Sequence, residues 1–157
     1  MNKIIVLSVA LLGVSACSQQ SQSLDFGPRP LSSASDVAAN WQPSHKVEPR
    51  YPKEAVAAGE MGCATLEHLI TPSGEAAQMR IVSRTDERFS DAAIEALSRW
   101  QWQPTEFNKS HQTLKSQTRF DFCIELNGEP CKRSLLDQTC EGSSSVTSTA
   151  KIYTQVR

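Results

Sequence analysis

The chain lacks the signatures around which most catalytic sites are built. Its 157 residues contain no Gly-x-Ser-x-Gly, no His-Glu-x-x-His and no phosphate-binding glycine loop. The three histidines, His45, His68 and His111, are scattered without ligand spacing, and no Cys-x-x-Cys accompanies them, which argues against a zinc site. Neither an enzyme nor a cofactor or metal is expected. Charge of one sign is lacking too: 16 Lys and Arg stand against 17 Asp and Glu, with no block of either, so nothing recruits nucleic acid. Long apolar runs are missing as well. The longest, Ile4 to Leu12, falls well short of the roughly 20 residues that a membrane-spanning helix needs.

That short run has a different meaning. Lys3 precedes it and "GVSAC" follows it, which marks residues 1–16 as a signal peptide. Val14-Ser15-Ala16-Cys17 resembles the lipobox of bacterial lipoproteins, and the resemblance implies that Cys17 becomes a palmitate-bearing, acylated N-terminus. The membrane is then a partner through the lipid anchor, stably so, because each buried CH2 contributes ~0.8 kcal/mol. Ser18 rather than aspartate after the cysteine implies, under enteric-type sorting, a periplasm-facing protein of the outer rather than the inner membrane.

After the cysteine, residues 17–40 are rich in Ser, Gln and Pro and read as a flexible tether. The composition changes at Trp41, where a folded domain, 41–126, begins. In "YPKEAVAAGEMG", Pro52 suits the first turn of a short helix and Gly59 its left-handed end. Ala64, Leu66, His68 and Ile70 then alternate with Cys63, Thr65, Glu67 and Leu69, as in a half-buried strand. "TPSGE" reverses the chain, and Ala77, Met79 and Ile81 continue the alternation in a second strand.

"RFSDAAIEALSRW" reads as a helix capped by Ser90, with Phe89 stapled on Ile94, and with Ala93, Ile94, Leu97 and Trp100 on one apolar stripe. Pro104 ends it, and Trp102 lies in the turn that leaves it. Phe120, Phe122, Ile124 and Leu126 face one way along a third strand, with Arg119, Asp121, Cys123 and Glu125 on the other side. The order helix, hairpin, helix, strand predicts an α+β fold in which two helices pack on a three-stranded antiparallel sheet.

These residues resemble the TonB C-terminal domain family. The resemblance rests on Tyr51-Pro52, Ala55, Gly59 and Gly62, Leu66 and Ile70, Pro72 and Gly74, Ile81 to Ser83, Ala93 and Leu97, and Trp100 with Trp102 and Pro104. It implies a periplasmic protein-binding module linked to transmembrane transport. An extended segment of an outer-membrane TonB-dependent receptor, or of another envelope protein, would add to the third strand at Gln117, Thr118, Arg119, Phe120 and Asp121. A second copy of the chain is a further candidate partner. The lipoprotein signal and the missing Pro-rich spacer set the chain apart from a complete energy transducer, so the alternative is a structural envelope lipoprotein using the fold as a scaffold. His68 stands where the family prefers a large apolar residue, either as a satisfied core histidine or as a pH-sensitive packing switch.

Cys63, Cys123, Cys131 and Cys140, in an exported chain, are expected to form two disulfides. With the first and third strands antiparallel, Cys63 and Cys123 share a face, favouring Cys63–Cys123 with Cys131–Cys140. "ELNGEP" keeps Cys123–Cys131 open, because Asn-Gly favours a tight reversal. The extension 127–157 reads first as a Ser/Thr-rich tail. Its alternation from Val146 to Val156 nevertheless raises a second expectation, that it adds to a sheet edge and covers the partner site.

Overall fold

The computed structural model describes residues 29–131, 139–142 and 145–153. The expected signal peptide, the expected acylation site Cys17 and most of the expected tether lie outside these residues. Among the described residues, three helices and six strands follow one another as α1 (Ala34–Asn40), β1 (Trp41–His45), α2 (Lys53–Ala58), β2 (Gly62–Ile70), β3 (Ala76–Arg84), α3 (Glu87–Leu97), β4 (Gln101–Pro104), β5 (Leu114–Leu126) and β6 (Ser145–Ile152).

The α+β class holds, but the sheet is larger than expected and mixed. Its strand order is β3-β2-β5-β6, with β6 parallel to β5 and the other pairs antiparallel. A separate two-stranded sheet joins β1 to β4. Two departures explain the change from two helices on three strands. Residues 33–40, assigned to the tether, fold as α1 because Ser33 and Asp36 form a capping box, each side chain accepting from the other residue's backbone N–H. The C-terminal alternation supplies the fourth strand.

Phe89, Ala93, Ala96 and Leu97 of α3 pack with Ala64, Leu66 and Ile70 of β2, with Phe120 and Phe122 of β5, and with Trp41, Trp100 and Trp102. The helix starts four residues before the expected cap: Asp86 accepts from the Arg88 N–H, while Ser90 is buried and donates to the Glu87 carbonyl. The Arg88 guanidinium holds the Asp86 carboxyl below the usual carboxylate range. Gly62 admits α3 because a Cβ there would collide with the Phe89 ring.

Trp102 lies not in a turn but in β4, and its N–H donates to the Gly74 carbonyl at 2.8 Å. Gly74 combines φ 78° with a position where a Cβ would come 2.0 Å from the Trp102 carbonyl oxygen. Gly74→Ala should therefore lower unfolding free energy by about 2 kcal/mol. Urea denaturation measures the change, and a loss within experimental error would show that the turn relaxes freely.

Candidate protein-binding edge

β5 is the longest strand because it is used on both faces and both edges. Ser116, Thr118, Phe120 and Phe122 lie on the helix face; Lys115, Gln117, Arg119, Asp121 and Cys123 lie on the other. β2 fills one edge over Gly62–Ile70, paired with Phe122–Leu114. The opposite edge is the one assigned to a partner.

That edge is occupied within the chain. β6 runs along it from Arg119↔Ser145 to Leu126↔Ile152. At its start the Ser32 N–H donates to the Lys115 carbonyl at 2.9 Å, so the N-terminal arm takes the next outward-facing position. Between the two, Gln117 borders a cleft of about 310 Å³ walled by Val37, Trp41, Trp100, Trp102 and Ser116.

The second sheet face is covered as well, which the half-buried reading of β2 did not anticipate. All nine β2 residues are buried. Cys140 to Gly142 cross this face: Thr65 Oγ1 donates to the Glu141 carbonyl at 2.6 Å, and Arg119 Nη1 donates to the Cys140 carbonyl at 2.8 Å. Beneath them Arg119 Nε meets Asp121 Oδ1 at 2.7 Å, with both side chains nearly inaccessible. Their side chains lie on the face opposite Phe120, as the alternation predicts, and Arg119 holds the crossing segment there. Alongside, Glu67 is bridged by Arg80 and Lys115. Burial alone would push the Glu67 carboxyl up, but the hydrogen bonds and charge of these two cations outweigh it and hold the carboxyl below its usual range.

The disulfides correct the favoured pairing. Cys63 joins Cys140 with Cα atoms 6.1 Å apart, and Cys123 joins Cys131 at 5.7 Å. The register explains this, since Asp121 and not Cys123 lies across from Cys63. A diagonal neighbour on a sheet is about 7–8 Å away, beyond the usual disulfide span of about 4.4–6.8 Å. Cys131 reaches Cys123 through the Asn127-Gly128 reversal, with φ 52° and 86° and the Glu129 N–H donating to the Leu126 carbonyl.

His68 is completely buried on the helix face, its ring stacked 5.6 Å from that of Trp102, and neither ring nitrogen has a hydrogen-bond partner. Burial pushes it down to about 4, against a weaker opposing contact with the Leu66 backbone. Tyr51 sets its ring edge-on to both Phe89 and Phe122, and its hydroxyl donates to the Glu60 carbonyl at the exit of α2. Burial and the nearby Glu60 charge raise that phenol.

The model of the family described as the Gram-negative bacterial TonB protein C-terminal matches residues 47–124. Residues 47–124 are thus similar to the TonB C-terminal family. The solution NMR structure of the Pseudomonas aeruginosa TonB CTD is similar at 20% identity and TM-score 0.45, over 52% of this chain and 83% of its own. A search of curated proteins found no match. Within the TonB-like segment, Tyr51, Gly62, Gly74, Trp100 and Trp102 all sit at the packing contacts described above. α1, β1, Cys131, Cys140 and β6 fall outside the matched residues, so the segments that cover the β5 edge lie beyond the TonB-like match. No helix among the described residues is long and apolar enough to cross a membrane.

Proposed function

We propose that this chain is an acylated envelope lipoprotein whose TonB-like domain binds an extended segment of an outer-membrane receptor, or of another envelope protein, at β5. Gln117, Thr118, Arg119, Phe120 and Asp121 form the binding edge, and β6 is its resident occupant, displaced when the partner adds. The observation that supports this reading is that β6 pairs along this side of β5 from Arg119 to Leu126 and so covers Arg119, Phe120 and Asp121 of the binding edge. A strand edge that accepts one extended segment has its donors and acceptors set to accept another.

β6 begins five residues after Cys140, which is anchored to Cys63. So short a link holds it at an effective concentration on the order of mM, and a free peptide competes poorly while it stays in place. Deleting residues 143–157 should accordingly expose the edge. The truncated chain is expected to bind a synthetic 143–157 peptide that the intact chain does not. In cells, photo-crosslinking from Gln117 should capture an outer-membrane β-barrel more strongly after truncation. Equal capture with and without residues 143–157 sinks the displacement reading.

The same disulfide favours a second reading. With the crossing segment fixed over the buried Arg119–Asp121 pair, the closed edge makes the domain a structural scaffold without a transporter partner. Adducts from Gln117 confined to the chain itself, even after truncation, would establish that alternative.

A further inference from the structure

The domain has two poles, separated by the nine residues of β2, about 30 Å at ~3.3 Å per residue. Gly62, Glu60 and Asp86 lie at one, with Leu126 at the same end of β5. Ile70, Pro72, the start of β5 and the 105–113 loop lie at the other. The N-terminal chain leaves from the second pole, where Arg29 Nη1 donates to the Thr113 carbonyl at 3.1 Å and Ser32 is held on Lys115.

The loop there is folded rather than loose. Asn108 is 1% exposed; its N–H donates to the Thr105 carbonyl, and its Oδ1 accepts from the Gln112 N–H at 2.8 Å. The His111 N–H donates to the Asn108 carbonyl, its Nδ1 bonds the Pro72 carbonyl, and Thr105 Oγ1 donates to the Ala39 carbonyl. Yet this well-tied loop holds the Phe107 ring 79% exposed, more than any other large apolar side chain described. Lys109 and Glu106 flank it in the chain, and Arg29, bonded to the Thr113 carbonyl, supplies a further positive charge at this pole.

We propose that this pole rests on the lipid surface, with the Phe107 ring inserted at the headgroup boundary. The inference depends on acylation of Cys17. From Cys17 to Arg29 is twelve residues, a length of chain that reaches no more than ~43 Å. Such a link bounds how far the pole from which it emerges stands from the bilayer, and the other pole lies about 30 Å further along β2. An aromatic ring at the boundary gains apolar contact there, and flanking basic side chains meet anionic headgroups.

The test uses the intact lipoprotein purified from membranes, its mass measured first, then reconstituted in phosphatidylethanolamine vesicles containing phosphatidylglycerol and acyl-brominated lipid. The emission that Phe107→Trp adds to that of the native tryptophans should be quenched and blue-shifted. That added by Glu60→Trp at the far pole should be neither. Acylated Cys17 with equal or absent quenching in the two variants overturns this inference alone. An unmodified Cys17 overturns the anchoring and this inference together. Absent quenching, with in-cell photo-crosslinking from position 107 trapping a protein, would assign the loop to a protein partner instead.

Discussion

Replacing Cys63 and Cys140 together by serine, with Cys123–Cys131 intact, should lower unfolding free energy by about 4 kcal/mol. The two cysteines are 77 residues apart, and closing a loop of that size removes that order of denatured-state entropy. The loss should not be spread evenly. The staple lies where the crossing segment meets the covered sheet face, so its removal frees the carbonyls that Thr65 and Arg119 use and leaves the Arg119–Asp121 pair open to water. Urea denaturation gives the total. Amide hydrogen exchange locates it, with β6 losing protection well before β2. A loss under about 1 kcal/mol, far below the chain-entropy value, would mean that strand pairing alone holds the C-terminus.

Acid should reveal His68. Its folded value is pushed down to about 4 from an ordinary 6.5, so the unfolded chain binds the proton more readily. The stability it contributes is complete above pH 6.5 and is lost as pH falls toward 4, amounting to about 3 kcal/mol across that range. Glu67 loses its contribution only on further acidification, because its folded value is also depressed but from the lower carboxylate range. The windows therefore separate. His68→Leu, which puts an apolar side chain against Trp102, should flatten the slope of stability between pH 7 and 4. An unchanged slope in the variant would assign the acid sensitivity to another group.

The TonB-like half was legible in the sequence because its signals are local. Alternation gave β2, β3 and β5, Gly59 ended α2, and the apolar stripe through Ala93, Leu97 and Trp100 found the core face of α3. The capping box of Ser33 and Asp36 is local too, but it lay inside a stretch whose Ser and Pro content suggested a tether. What resisted reading was non-local. Arg119 and Asp121 look like solvent-facing residues of an edge strand; only the path of Cys140 to Gly142 across the sheet makes them interior. The disulfide pairing turned on a two-residue offset in strand register, which alternation cannot supply. The strand character of the C-terminus could be read from its periodicity, whereas its parallel direction and its register on β5 follow from the crossing segment.

The two disulfides are nested: of the four cysteines that follow Cys17, the first is joined to the fourth and the second to the third. A chain exported N-terminus first presents Cys63, then Cys123, then Cys131, and Cys140 last. Cys123 is thus the first thiol that Cys63 meets, and bonding to it would strand the C-terminus. Rapid closure of Cys123–Cys131 over eight residues removes that competitor and leaves Cys63 to wait. Any misjoined molecules must be rescued by thiol exchange, which takes seconds to hours. The nested pairing therefore makes the order of disulfide closure, and not only the final contacts, part of how this fold is reached.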